Sequence, residues 1–177
     1  LEFMDKLPGS EHITLGTGEY GFWTRILTAR TGSLINYTTR TEASNPINTQ
    51  GQISPETCDS VYRWRKIRKD YSLYGILGGP AVLGSLSPAL HNAGFAAPGL
   101  PAVYIPFPSD SLEAFWDLAD RLGLKGFTIT VPFREKVLPF LAERSPEVEV
   151  IGACNRIQHG RLGVREEPPG LFEGQGS

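Results

Sequence analysis

The chain has 177 residues, 40% of them hydrophobic and 20% charged, so a packed core is expected and a disordered chain is not. A net charge of −2 gives no general pull toward nucleic acid or an acidic membrane, and there is no apolar run of about 18 residues to span a bilayer. Cys58 and Cys154 lie far apart and outside any Cys-x-x-Cys spacing, which argues against zinc and for two reduced thiols in a cytoplasmic protein.

Residues 1–20 are polar and glycine-rich, with a weak strand over 12–15. Residues 22–28 and 34–38 have strand character, separated by the turn signal Thr31-Gly32-Ser33, and 40–52 read as a polar loop. Ser54-Pro55-Glu56 then opens a helix: a hydroxyl cap, a proline suited to the first turn, and an acid at the positive end. Val61, Trp64 and Ile67 make its apolar stripe. Arg63, Arg65, Lys66, Arg68 and Lys69 fill the other faces as a solvated surface, without the interleaved aromatics of a nucleic-acid module.

The composition changes near Asp70. A strand over 71–77 ends in Gly78-Gly79-Pro80, and Ser87-Pro88 opens a helix that stops near Gly99. A strand at 102–105 follows. Next comes a helix capped by Asp110 or Ser109, with Leu112, Phe115, Trp116, Ala119 and Leu122 on one side and Gly123 as its stop. Residues 128–131 form a strand that Pro132 ends. Pro132 then starts a helix through Val137, Leu138, Phe140 and Leu141, kinked at Pro139, and 148–151 and 155–158 are the last strands. This β-α-β-α-β-α-β order predicts an α/β fold, an open, parallel-rich, three-layer sheet. The expected units are 1–70, 71–163 and an irregular tail over 164–177.

Three loops that follow strands share a chemistry. Ser85-Leu86-Ser87-Pro88 offers two hydroxyls at a helix start, Thr130 a third, and Gly152-Ala153-Cys154-Asn155 a carboxamide. Arg134 adds a cation four residues after Thr130. Such a set, at one edge of one sheet, suits a small hydroxylated anion.

Gly79-Pro80, Ser85-Leu86-Ser87-Pro88 with His91-Asn92, Gly126 through Lys136, and Ile151-Gly152-Ala153-Cys154-Asn155 resemble the successive motifs of the substrate-binding domain of shikimate dehydrogenase, over about residues 72–163. The resemblance implies that Ser85 and Ser87 hold the substrate carboxylate, and that Thr130 and Asn155 hold carboxylate or ring hydroxyls. It implies shikimate or 3-dehydroshikimate as the small-molecule partner and NADP as the cofactor, and leaves a homodimer open. Residues 18–25, Gly32-Ser33 and Gly51-Gln52 resemble the closing strands and loops of a type I 3-dehydroquinate dehydratase, roughly over 15–70. That resemblance implies an incomplete (β/α) barrel tail in which Arg25 grips a substrate carboxylate and Gln52 touches substrate. The loop reads Asn48-Thr49-Gln50-Gly51-Gln52 where that family has Ser-Ala-Pro-Gly-Gln, and its Schiff-base lysine and histidine are not in this sequence. Together the two resemblances imply part of a fused dehydratase–shikimate dehydrogenase of aromatic amino-acid biosynthesis, inactive as this chain alone.

The sequence also departs from the dehydrogenase pattern. Arg134 takes the catalytic position where that family has a lysine, and Arg156 follows Asn155 where it has threonine. Arginine stays protonated in proteins, so it binds and orients but makes a poor general base. Lys136, two residues on, faces another side of a helix. The family's Gly-x-Asn-Thr-Asp motif is missing; the nearest register puts Glu167 at its aspartate. No glycine fingerprint for NADP is present, since Gly174-Gln175-Gly176-Ser177 follows no strand. Two alternatives therefore stay open: a non-catalytic module that binds shikimate or quinate as a sensor or regulator, and a docking domain without a small ligand.

Overall fold

The computed structural model describes residues 13–33, 35–39 and 51–158. The expectations for residue 12, most of the 40–52 loop and the tail with Glu167 lie outside the described residues. In chain order the helices are α1 (Phe22–Ile26), α2 (Thr28–Thr31), α3 (Pro55–Thr57), α4 (Ser87–Ala96), α5 (Leu112–Leu122) and α6 (Pro146–Ile151). The strands are β1 (Ser72–Gly78), β2 (Ala102–Pro108), β3 (Leu124–Ile129) and β4 (Arg156–Gln158).

The sheet has the order β2-β1-β3-β4. β1 runs parallel to both β2 and β3, but β4 pairs antiparallel with β3, so the sheet is mixed. The reversal follows from the path of the chain. After β3 the chain stays at the same edge: Cys154 N–H donates to the Arg134 carbonyl at 2.8 Å, and Ile129 N–H to the Asn155 carbonyl at 2.8 Å. A strand that starts where its neighbour ended, with no crossover, must run back against it.

Alternation along the strands gives the sheet two apolar faces. Leu73 and Leu77 of β1, Val103, Ile105 and Phe107 of β2, and Phe127 and Ile129 of β3 share one core with Leu112, Phe115, Ala119 and Leu122 of α5. Phe115 meets Phe107 and Phe127 edge-on, with centroids 5.7 and 4.9 Å apart. On the other face Ile76 and Tyr104 pack with Val82, Tyr74 and Phe95 of α4. Helices thus cover both faces. Gly75 allows the closest approach within the sheet, because a Cβ there would lie 2.5 Å from the Ile105 carbonyl oxygen.

Several expected elements take other forms. Residues 22–26 are helical, not a strand, and Phe22, Ile26 and Leu27 are fully buried in the α5-side core. The Thr24 hydroxyl donates back to the Gly21 carbonyl at 2.7 Å, a local bond that a strand does not offer. Residues 35–38 form no strand. The helix from Ser54 is real at its start, where the Ser54 hydroxyl accepts from Thr57 N–H at 3.1 Å, but it does not continue. Residues 58–62 widen into a π-turn, Arg63 turns left-handed, and Trp64–Lys66 is a 3-10 turn. The buried residues are Cys58, Tyr62 and Ile67; the last step of five residues does not fit one helical face, so the chain breaks and resets at Arg63.

The helix expected from Pro132 is a series of turns, with a 3-10 turn only over Leu138–Phe140. Pro139 has no N–H to give the Glu135 carbonyl, which takes the Leu138 N–H instead at 3.3 Å. Residues 148–151, expected as a strand, end α6, which Ser145 caps and left-handed Gly152 closes. The α5 cap is Ser111, not Asp110 or Ser109: its hydroxyl accepts from Ala114 N–H at 3.1 Å.

Candidate functional site

The parallel strands end at one edge, and the loops there carry the polar residues singled out from the sequence. Gly78 and Thr130, at the ends of adjacent strands, are in close contact. A Cβ on Gly78 would lie 2.5 Å from both the Thr130 methyl and a Val82 methyl. Thr130 N–H donates to the Leu77 carbonyl at 2.9 Å, and Gly79 N–H to the Val131 carbonyl at 3.1 Å. β2 lies on one side of β1 and β3 on the other, so this edge is the point where the order of connection reverses, the usual place for a ligand in such sheets.

From Gly78 the chain makes a 3-10 segment, Pro80–Gly84, and reaches Ser85. The Ser85 hydroxyl accepts from Ser87 N–H at 3.2 Å, so it plays the capping part expected of Ser87, which is itself the first residue of α4. Both serines are half-buried. Thr130 is half-buried, while Arg134 and Asn155 are exposed. Arg134 folds back so that Nε donates to the Ile129 carbonyl at 3.2 Å. Backbone bonds from Cys154 to Arg134 and from Ile129 to Asn155 hold the Thr130 turn and the Asn155 loop together. The structure thus gathers Thr130, Arg134 and Asn155 at the end of β3, and places Ser85 and Ser87 beyond the neighbouring end of β1. The group forms an open ledge of hydrogen-bonding side chains with one fixed cation.

Sequence reasoning missed the residues that seat this ledge. The Asn92 side chain is buried; its Nδ2 donates to the Tyr104 carbonyl at 2.9 Å and its Oδ1 accepts from Tyr104 N–H at 2.8 Å, pinning α4 to β2. The Tyr104 hydroxyl lies 2.5 Å from that of Thr128, and burial pushes its phenol up to about 12. His91 stacks on the Tyr104 ring with centroids 4.3 Å apart, and burial lowers its pKa. Tyr104, Thr128 and His91 line a concavity of about 490 Å³ on the α4 face, together with Tyr74, Phe95, Arg156 and Gln158. None of Ser85, Ser87, Thr130, Arg134 and Asn155 lines it, so this hollow is not the predicted site. The only signal in the sequence was the His91-Asn92 pair.

Arg25 and Gln52, far apart in sequence, line one cavity of about 620 Å³ with Ile13, Leu15, Thr17, Gly18 and Tyr37. Arg25 is only 3% exposed, which makes its charge costly and lowers its pKa through desolvation. Nη1 donates to the Tyr37 carbonyl at 3.1 Å, and the buried Nε has no hydrogen-bond partner. Among the described residues no group of three or more His, Cys, Asp or Glu is placed to hold a metal ion, and no helix is long and apolar enough to cross a membrane.

Residues 76–157 match the family model described as the shikimate dehydrogenase substrate binding domain. The chain is 46% identical over 87 residues to a shikimate dehydrogenase (NADP(+)) of Trichormus variabilis, covering 48% of this chain and 30% of that protein. It is 32% identical over 145 residues to the chloroplastic bifunctional 3-dehydroquinate dehydratase/shikimate dehydrogenase of Arabidopsis thaliana, covering 82% of this chain and 24% of the relative. Its fold is similar to the crystal structure of a shikimate 5-dehydrogenase from Listeria monocytogenes in complex with shikimate and NAD. That likeness has a TM-score of 0.50 and 28% identity, over 53% of this chain and 33% of the other. The chain therefore spans less than a third of the length of the two curated relatives described.

Proposed function

We propose, taking as premise the match of residues 76–157 to the substrate binding domain of shikimate dehydrogenase, that this chain supplies the substrate half-site of an NADP-dependent enzyme interconverting shikimate and 3-dehydroshikimate. The observation that carries the reading is the convergence of Ser85, Ser87, Thr130 and Asn155 on the edge where β1 and β3 end. The Ser85 and Ser87 hydroxyls donate to the substrate carboxylate. Thr130 and the Asn155 carboxamide, which both donate and accept, select ring hydroxyls by position. Each neutral bond contributes about 0.5–1.5 kcal/mol, so the four together, about 2–6 kcal/mol, suit weak binding centred near the millimolar range.

Arg134 stands closest to the reaction. Its Nε is committed to the Ile129 carbonyl, which leaves a cation that orients an anionic or carbonyl group without accepting a proton. The cofactor that the family implies, NADP, would supply the hydride acceptor. The described residues do not fit that cofactor: the space beside Gly78, the last residue of β1, is filled by the Thr130 and Val82 methyls and is no bed for a pyrophosphate. No step is therefore derived through it. A second reading keeps the ledge and drops turnover, leaving a module that binds shikimate or quinate; the observation favouring it is the tethered arginine at position 134.

Residues 1–70 are read as the closing part of a dehydratase barrel and 71–163 as the dehydrogenase substrate unit, with 164–177 as a tail. The burial of Arg25 in one cavity with Gln52, with its Nε lacking a partner, supports a carboxylate site there.

The test is titration calorimetry of the chain with shikimate and with 3-dehydroshikimate. Heat with either acid is expected. Thr130→Val should weaken binding about 5- to 10-fold, the worth of one hydrogen bond. No heat at millimolar acid refutes the reading. To separate enzyme from binding module, Arg134→Lys is made in the chain with an NADP-binding domain attached. Higher turnover is expected, because lysine exchanges a proton where arginine does not; an unchanged or lower rate shows that arginine is no handicap.

A further inference from the structure

Among the described residues Arg63 is the non-glycine residue with positive φ, at 48° with ψ 43°. That conformation is disfavoured for a residue with a Cβ and is held only when its surroundings impose it. Two contacts impose it here. The π-turned Cys58–Tyr62 segment packs against α4, and Arg63 Nη2 donates to the backbone carbonyl of Asn92 in the middle of that helix.

α4 is lightly held. Pro88 and Asn92 are its buried residues, while Leu86, just before it, and Leu90 are 83% and 72% exposed. Asn92 is its fixed point, bonded through its side chain to Tyr104 on β2 and through its carbonyl to Arg63. Ser87 lies five residues upstream, about 7.5 Å along the axis at the usual helical rise. A small tilt about Asn92 therefore moves both serines against Thr130 and Asn155.

We infer that Arg63 is a positioning residue for the half-site: from the segment before the sheet it seats α4 at Asn92 and so sets where the Ser85 and Ser87 hydroxyls stand. This rests on the shikimate reading of that site. It makes the upstream segment part of the affinity of a site it does not touch. A misplacement of about 1 Å can cost up to about 100-fold in a constellation of this kind.

The experiment compares the 177-residue chain with its Arg63→Gly and Arg63→Lys variants. Shikimate is titrated by calorimetry, and melting temperature and amide exchange across α4 are read on the same samples. Glycine takes the left-handed conformation without a Cβ penalty, so that variant should stay folded. It should nevertheless bind shikimate about 10-fold more weakly and exchange faster in α4. Lysine, which can still donate to the carbonyl, should recover part of the affinity. Wild-type affinity in the glycine variant overturns the inference. So does failure of that variant to fold, which would make Arg63 a support of the fold rather than of the site. If the wild-type chain itself shows no heat, the shikimate reading fails instead, and unchanged α4 exchange in the glycine variant would then overturn the clamp as well.

Discussion

Gly78 shows how tightly the ledge is built at the scale of one residue. Its missing side chain makes room for the Thr130 and Val82 methyls, each 2.5 Å from where a Cβ would stand. Gly78→Ala should therefore destabilise the fold by about 1–3 kcal/mol through overpacking. It should also weaken shikimate binding by pushing Thr130 aside; equal affinity and an unchanged urea midpoint would contradict this. His91 gives a pH signature. Burial lowers its pKa below the free value of 6.5, so the unfolded chain binds more protons as pH falls through that value. Its contribution to stability is full above pH 6.5 and is lost as pH falls toward the folded pKa. Melting temperature should thus fall between about pH 7 and 5, and His91→Phe should flatten that part of the curve. The two cysteines are buried and form no disulfide, and burial raises the Cys58 thiol to about 12. Native protein should react slowly with iodoacetamide at pH 8, and rapid alkylation of Cys58 before unfolding would contradict its burial. The position of Ser85, Ser87, Thr130 and Asn155 at one edge of the sheet was legible because polar residues at helix starts and strand ends stand out from the apolar pattern; their role toward a ligand is the proposal that calorimetry tests. Asn92 and Arg63 were not, because their roles are long-range bonds to backbone that no local spacing announces.

Among the elements, one signature was read once and missed once. Ser54-Pro55-Glu56 and Ser145-Pro146-Glu147 are the same cap, and both serines accept the N–H three residues on, at 3.1 and 3.4 Å. The second was hidden by the alternation of Val148, Glu149 and Val150, which imitates a strand. The short helix leaves Val150 87% exposed and Ile151 67% exposed, so that pattern did not report burial. Ser145→Ala should cost about 1 kcal/mol in chemical denaturation, as should Ser111→Ala at α5. A loss below about 0.3 kcal/mol in both would mean that the caps contribute nothing measurable. The existence of β1, β2 and β3 and of α4 and α5 was legible from apolar pattern and stop signals, but not their starts: the caps expected at Ser87 and at Asp110 or Ser109 were misplaced, and the strand expected at 128–131 spans Leu124–Ile129. α1 was not: its β-branched and aromatic residues favour a strand, and tertiary burial of Phe22, Ile26 and Leu27 overrides them.

For the whole molecule, the segment before the sheet and the sheet itself share one core. Phe22, Ile26, Leu27, Ile53, Cys58, Tyr62 and Ile67 belong to the same buried cluster as Leu73, Val103 and Phe107. Arg30 adds polar ties across the junction, donating to the Leu122 carbonyl at 3.1 Å and the Tyr71 carbonyl at 2.6 Å. A polypeptide limited to residues 71–163 should therefore expose apolar surface. It should aggregate or bind a hydrophobic dye, and a monomeric, dye-free 71–163 fragment with a sharp melting transition would show that the shared core is dispensable.

The reach of Arg30 also fixes an order of events during synthesis. Its partner Leu122 leaves the ribosome 92 residues later, an interval of roughly 5–18 s at about 5–20 residues per second. For most of that time, until β2 has been made, Phe22, Ile26 and Leu27 have no strand to cover them, and α5 cannot receive the guanidinium at its last carbonyl until the nascent chain has carried both ends together. The upstream segment is thus a client waiting for its surface. In cell-free translation, a chaperone that holds unfolded chains should raise the soluble yield of this protein, and an unchanged yield would show that the upstream segment needs no holding.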